Sequence, residues 1–309
     1  MRIVPKIAAL LLMLVIAPCA SAQIVIKPGL PNPGKFTSKL TLDIAQTLNL
    51  AGQELTTGQK RELITNNQVS QPAADGSITV VETFQSLKDT TTLPGGATLK
   101  FASAEGPKPQ GTAADFLVDV MAVMAKTKTT IVFDKSGKAI RVNATADGLD
   151  ELDEPGKSLL QADLDPQRLK DIANAQRDEY HAEPVKPGDQ WKKETSTDLG
   201  QGAKFTHTAA TKYVGVENRN GVNLHKVTIS YSDINFEQNA PAPGAPSIAG
   251  TEMELIDGGS TYFFDAEKQQ VVDSNFKLHV KGKITLLSLI HISEPTRPLY
   301  ISYAVFCLK

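Results

Sequence analysis

The sequence predicts a mainly β, α+β fold: a large curved antiparallel sheet, or an incompletely closed barrel, of about ten strands with two helices. Three observations predict it. Long stretches alternate polar and apolar residues with a period of two. Clusters of Gly, Pro, Asn and Asp interrupt them at the short intervals that hairpins require. Only two stretches switch to the period of a helix. Strands joined by local turns make an antiparallel meander rather than βαβ units, and a sheet of about ten strands curls strongly or closes.

The elements follow in order. Pro28 to Pro33 reads as a tether stiffened by prolines, part of a linker over 23–35. A strand is predicted over 36–50, with Leu40, Leu42 and Ile44 on one face and Lys39, Thr41 and Asp43 on the other. Strands over 59–69 and 77–87 are joined through the turn Pro72-Ala73-Ala74-Asp75-Gly76. Leu93-Pro94-Gly95-Gly96 and the stretch from Gly106 to Gly111 read as loops. Between 112 and 126 the period becomes helical, with Phe116, Leu117, Val120, Met121, Val123 and Met124 on one broad face.

A hairpin over 129–145 turns at Asp134-Lys135-Ser136-Gly137. Residues 147–165 read as acidic and irregular. Asp165-Pro166 then opens a second helix to Tyr180, aspartate capping it and proline taking the first helical position. Strands are predicted over 190–197, 204–217, 223–236, 251–256, 261–265 and 270–286. Asn220-Gly221 and Asp257-Gly258-Gly259 read as hairpin turns, and 240–246 (APAPGAP) as a polyproline-like insert.

Both ends stand apart from this domain. Arg2 and Lys6 precede an apolar run from Ile7 to Ile16, and Ala20-Ser21-Ala22 supplies a small-residue cleavage site. This is the pattern of a secretory signal over 1–22. Lipidation at Cys19 is the rival reading, and Pro18 fits a lipobox poorly. At the other end, Leu287 to Arg297 (LSLIHISEPTR) resembles the in-frame translation of a sequencing adapter, and Ile301 to Lys309 resembles its flow-cell end. Residues 287–309 are therefore expected to be a non-native tail that packs poorly, leaving the native sequence beyond Leu286 open.

The body of the chain, 36–286, reads as one domain with room for two lobes hinged near 147–166. The full chain carries 32 Lys+Arg and 34 Asp+Glu, a net charge of −2. Setting aside Arg2, Lys6, Arg297, Lys309 and Glu294 leaves 28 cations and 33 anions over 23–286, a net of −5. A mildly acidic domain without a basic run has no electrostatic footprint for nucleic acid. Of two cysteines, Cys19 lies in the signal and Cys307 in the tail. The mature domain then has no thiol nucleophile, Cys–zinc site or disulfide, and must be held by its core.

Motifs for chemistry are sparse. The acidic residues Asp147, Asp150, Glu151, Asp153 and Glu154 lack the spacing and central glycine of a calcium loop, and read as a solvated face. His181, His207, His225 and His279 have no zinc-protease spacing, although the last three fall on predicted strands. No nucleophile elbow, phosphate loop or dinucleotide fingerprint is present. No catalytic, cofactor or metal residue is assigned. The most specific local signal is Pro187-Gly188-Asp189-Gln190-Trp191, read as a structural turn that swings the indole inward as the next strand starts.

That turn, the earlier hairpin Phe133-Asp134-Lys135-Ser136-Gly137-Lys138, and the late Tyr262-Phe263-Phe264-Asp265 leading to Val271-Val272-Asp273-Ser274 come in this order. Together they resemble an uncharacterised family of exported bacterial β-rich proteins and lipoproteins, over most of the mature chain. The plan also resembles the curved sheets that carry lipids or lipoproteins across the periplasm, an analogy of fold alone. Neither resemblance brings a catalytic residue.

The expectation is thus a non-catalytic protein, exported to the periplasm or beyond. It would bind an apolar small molecule, a lipid or a cell-envelope protein, with no cofactor, nucleic-acid partner or membrane span. Phe116, Val120, Met121 and Met124 are the candidate ligand-lining residues. The competing expectation is a secreted hydrolase with two carboxylates assembled across strands, which need leave no local motif.

Overall fold

The computed structural model describes residues 23–50, 53–109, 111, 114–178, 180–200, 203–238, 247–287 and 299–308. The expected signal, the 240–246 insert, and Leu289 and Ile290 of the tail lie outside them. The architecture is mainly β and antiparallel. β1 (Gly34–Leu50), β2 (Gln53–Val69), β3 (Ile78–Thr92), β4 (Thr98–Ala102), β5 (Thr127–Phe133) and β6 (Ala139–Ala146) make one half-sheet. β7 (Gln190–Gly200), β8 (Ala203–Arg219), β9 (Val222–Gln238), β10 (Ser247–Asp265) and β11 (Gln270–Leu287) make the other. β12 (Leu299–Leu308) lies between β1 and β11 and joins the halves.

The path runs β6-β5-β3-β2-β1-β12-β11-β10-β9-β8-β7, with β4 on β3. β6 and β7 do not pair with each other, so the sheet is open and no barrel closes.

Period-two patterning explains the N-terminal half. Register aligns Leu40 of β1 with Leu63 of β2, and Leu63 with Leu87 of β3, so three leucines cross one face in a row. Exposure rises along the row: Leu87 is wholly buried, Leu63 half-buried, and Leu40 37% exposed. The opposite face carries Lys39, Asp43, Lys60, Glu62 and Lys88, linked by ion pairs such as Lys39–Glu62 at 2.6 Å and Lys60–Asp43 at 3.4 Å. Alternation has put the core on one side and solvent on the other.

Helix α1 (Phe116–Met124) covers the inner end of that leucine row. Its Val118 and Met121 pack with Leu87, Leu99 and Phe101, and its Val120 and Val123 pack with Leu160 of helix α2 (Glu154–Asp163). β4 and α2 are additions to the predicted plan. Residues 147–165 are not irregular: a 3-10 turn over Leu149–Glu151 leads into α2, with Pro155 in its first turn. The acidic composition had hidden Leu160, which is buried, with Leu149, Leu152 and Leu164 packed in the same cluster.

Helix α3 (Pro166–Asp178) starts as predicted. The Arg168 N–H donates to Asp165 Oδ1 at 2.7 Å, a side-chain cap. Its expected apolar stripe is weak, for no residue of α3 is buried and Ile172 is 37% exposed. Polar contacts hold it instead. Asn174 bonds both the N–H and the C=O of Ala139 on β6, and Arg177 donates to the carbonyls of Pro28 and Gly29.

Two further expectations change. Asp257-Gly258-Gly259 is not a hairpin turn, because β10 runs through it as a single strand with a register shift between Leu255 and Asp257. These glycines serve close approach: a Cβ on Gly259 would lie 3.0 Å from the Ile229 carbonyl oxygen, and one on Gly258 3.1 Å from Leu255. Asn220-Gly221 does turn as predicted, both residues at positive φ (52° and 84°).

The stretch read as a tether is docked. Ile24 bridges to Val185, Ile26 is 1% exposed, and the Gly29 N–H donates to the Gln269 carbonyl. In the tail, the backbone of 299–308 is a paired strand. Two flanking edges a strand's width apart accept almost any extended segment, because backbone pairing is insensitive to side-chain identity.

Candidate functional site: a cleft between the first and last long strands

β12 fills only part of the gap between β1 and β11. It pairs with β1 over Leu42–Asn49 and with β11 over Phe276–Ile284. Beyond it, β1 and β11 continue side by side with a cleft of about 820 Å³ between them. Phe36 to Thr41 form one wall and Gln270 to Ser274 the other. The size falls in the range of ligand sites.

Three large apolar side chains stand exposed along its rims: Phe36 (44%), Leu40 (37%) and Val272 (42%). The charged groups there are already matched. Lys39 holds Glu62, and its hydrogen bond and charge keep that carboxyl below its ordinary range. Asp273 accepts from Arg219 at 2.6 Å, while the Arg219 guanidinium lies 4.1 Å from the centre of the Phe263 ring. Little net charge is left to select a ligand. The cleft offers apolar surface and strand backbone.

An aromatic chain adjoins the closed end of the cleft. Phe276, whose backbone pairs with the end of β12, packs edge-on to Tyr231 at 5.5 Å. Tyr231 meets His207 at 5.1 Å, and His207 meets Phe205 at 5.6 Å. All four are half-buried beside the buried Ile234, Leu278 and Val280. Burial pushes the His207 imidazole below its ordinary pKa, and its Nδ1 is buried with no hydrogen-bond partner. A neutral imidazole in this setting behaves as another ring.

The residues singled out from sequence lie elsewhere. Phe116, Val120, Met121 and Met124 are brought together on α1, but they pack between β3–β4 and α2, and none lines the β1–β11 cleft. Pro187, Gly188, Asp189 and Trp191 form a tight turn. Gly188 has φ +97°, which favours glycine, and its N–H donates to the Tyr213 carbonyl. Asp189 Oδ2 accepts from the Lys186 N–H at 2.9 Å. Trp191 stacks on His181 at 4.6 Å and lies against the cluster of Ile26, Val185, Tyr213, Val227, Tyr262 and Phe264.

The histidines are dispersed into separate settings. His225 Nδ1 and the Tyr213 hydroxyl share a hydrogen bond, 2.6 Å long, and desolvation lowers the imidazole's pKa while Asp265 opposes. Among the described residues no group of three His, Cys, Asp or Glu is placed to hold a metal. No helix among them is long and apolar enough to cross a membrane. Buried carboxylates have structural partners. Asp89 accepts from Arg61 at 2.7 Å, and Asp265 accepts from the backbone N–H groups of Glu267 and Lys268. Desolvation raises the Glu82 carboxyl, which does not line the cleft.

No family model matches the chain, and no curated protein does. Two solved structures align over most of its length. DynF from the dynemicin biosynthesis pathway of Micromonospora chersina is 9% identical, over 94% of this chain and 85% of that one, with a TM-score of 0.18. A DUF1329 family protein from Desulfovibrio piger is 8% identical, over 86% of this chain and 84% of that one, with a TM-score of 0.13. At such scores the chains do not superpose, so neither neighbour bears on the fold or the site.

Proposed function

We propose that the chain is an exported, non-catalytic binding protein whose cleft between β1 and β11 holds an apolar part of its ligand. The observation that carries this reading is the 820 Å³ cleft with Phe36, Leu40 and Val272 exposed on its rims. Grouped apolar side chains on a soluble surface cost solvation and mark interaction sites more often than single ones do. The aromatic chain Phe205–His207–Tyr231–Phe276 extends the apolar surface inward. Among the described residues Asp273 is the only carboxylate lining the cleft and it is ion-paired, which favours binding over paired-carboxylate hydrolysis.

The test uses anilinonaphthalene sulfonate as an apolar probe, with native mass spectrometry of the exported protein for co-purifying mass. The dye should brighten on the intact chain, and Phe36→Ser combined with Val272→Ser should abolish most of that signal. Absence of dye binding together with absence of any co-purifying mass would remove the reading.

A further inference from the structure

We infer that a basic groove at the C-terminal end of helix α3 binds a phosphate group, free or carried on a small molecule or lipid headgroup. Four cationic side chains from three separate elements line it. They are Lys27 of the docked N-terminal segment, Lys135 and Lys138 of the β5–β6 hairpin, and Arg177 in the last turn of α3. Two hollows, of about 320 Å³ and 530 Å³, meet there and share Lys27, Ser136 and Arg177 as walls. None of these residues lines the β1–β11 cleft, which makes the groove a second, separate site.

Unmatched charge sets this place apart. Several cations elsewhere have carboxylates against them, as in Lys39–Glu62, Lys226–Glu217 and Lys268–Asp265. Among the described residues none of Lys27, Lys135, Lys138 and Arg177 is ion-paired. They gather in a domain that is acidic as a whole, with 28 cations against 33 anions over 23–286. Two acidic side chains are near. Asp134 accepts from the N–H groups of Ser136 and Lys138 and from the Ser136 hydroxyl, which fixes the turn and holds its carboxyl below the ordinary range. Asp178 lines the smaller hollow and is exposed to water, so four positive groups face two negative ones. Lys193 donates to the Asp178 carbonyl and caps the negative end of the α3 dipole.

Arg177 is the fixed point of the groove. It is half-buried, and its guanidinium donates to the Pro28 carbonyl at 3.0 Å and the Gly29 carbonyl at 3.2 Å. Carbonyl oxygens orient the group without neutralising it. Gly137, at φ +83°, gives it room, because a Cβ there would collide with the guanidinium. Burial penalises the bare charge and lowers its pKa, a penalty that a bound anion relieves. The planar fork of arginine suits oxyanion oxygens, and the lysines add point charges from the other two elements. A tetrahedral phosphate presents oxygens in three directions, which a planar carboxylate does not. Both hollows are larger than a bare oxyanion, and Val25 and Leu30 give the larger one an apolar side for the group that bears the phosphate.

Calorimetric titration of the full chain at fixed ionic strength tests this with inorganic phosphate, soluble dihexanoyl phosphatidic acid and dihexanoyl phosphatidylcholine. The first two should bind. Lys27→Gln with Lys135→Gln and Lys138→Gln should weaken both by about tenfold or more, because three charge-assisted contacts are lost. A control of equal net charge, Lys128→Gln with Lys204→Gln and Lys212→Gln, changes exposed lysines on other strands and should leave binding intact. Tighter binding of phosphatidic acid than of phosphate would assign the groove to a lipid headgroup, and equal or weaker binding to a free phosphate or small phosphorylated molecule. No binding of either would overturn the inference, as would equal loss in both triple variants or phosphatidylcholine binding as tightly as phosphatidic acid with the same loss at the three groove lysines. If the groove variant lowers the urea midpoint, Lys135→Gln with Lys138→Gln, both exposed, carries the comparison. Dye binding at the cleft without phosphate binding here would sink this inference alone.

Discussion

The two half-sheets cover their inner faces by different means. In the N-terminal half, aliphatic side chains from β2, β3 and β4 are sealed beneath α1, and Leu87 and Leu99 are wholly buried. In the C-terminal half, the strip beside the seam is aromatic and only half-buried, with Phe205, His207, Tyr231 and Phe276 in a chain of ring contacts. That helix-covered region is a finished core, as is the cluster of Tyr213, Val227 and Phe264 in the C-terminal half, whereas the strip beside the seam keeps rings accessible next to a cleft. The difference teaches that apolar composition alone does not locate a binding surface. The apolar helix α1 covers the core of one half, whereas Phe36, Leu40 and Val272 stand exposed together on β1 and β11.

Substitutions can break this contrast. The largest effect is expected at Leu87→Ala, which should cost about 2–5 kcal/mol in urea denaturation, while Leu40→Ala on the same leucine row should cost less than about 1 kcal/mol. Equal costs would erase the gradient from core to cleft. Asp89→Ala should be nearly as damaging, at about 3 kcal/mol, because it strands Arg61, whose side chain is 25% exposed, beside the core. Tyr213→Phe should cost about 1–2 kcal/mol by leaving His225 Nδ1 without its hydrogen-bond partner.

A smaller effect tests the aromatic strip by pH. Burial lowers the pKa of His207 from an ordinary value of 6.5, so the folded state resists a proton that the unfolded chain accepts. Stability from this group is full above pH 6.5 and is lost as pH falls through the depressed folded value. His207→Phe should flatten that part of the pH–stability curve, and an unchanged slope would show that His207 titrates normally. The smallest change in stability, about 0.5 kcal/mol or less, is expected for Phe36→Ser with Val272→Ser, paired with the loss of dye binding.

Much of the fold was legible because it is written in local patterns. Alternation over β1 to β3, the two-residue turn at Asn220-Gly221 and the cap at Asp165 each depend on neighbours a few residues away. What escaped depended on distance. Gly258 and Gly259 look like a turn until Leu278 and Ile229 are brought against them. α2 is invisible until α1 supplies Val120 and Val123 as partners for Leu160. The cleft was the least legible feature of all. Phe36 and Val272 are unremarkable strand residues more than two hundred positions apart, and only the seam between β1 and β11 makes them neighbours.

The order of strands has a consequence for how the chain is assembled. Each half-sheet is built from one continuous stretch of sequence, β1 to β6 and then β7 to β11, so most of its pairings join segments close in the chain. A polypeptide delivered N-terminus first can complete the first half before β7 has emerged, without waiting for distant partners. The seam, and the docking of Ile24 on Val185 and Gly29 on Gln269, demand that distant parts of the chain meet. Until that last encounter, β1 and β11 would each travel with a bare edge, and this interval is when the molecule is most open to capture by a chaperone or by another strand.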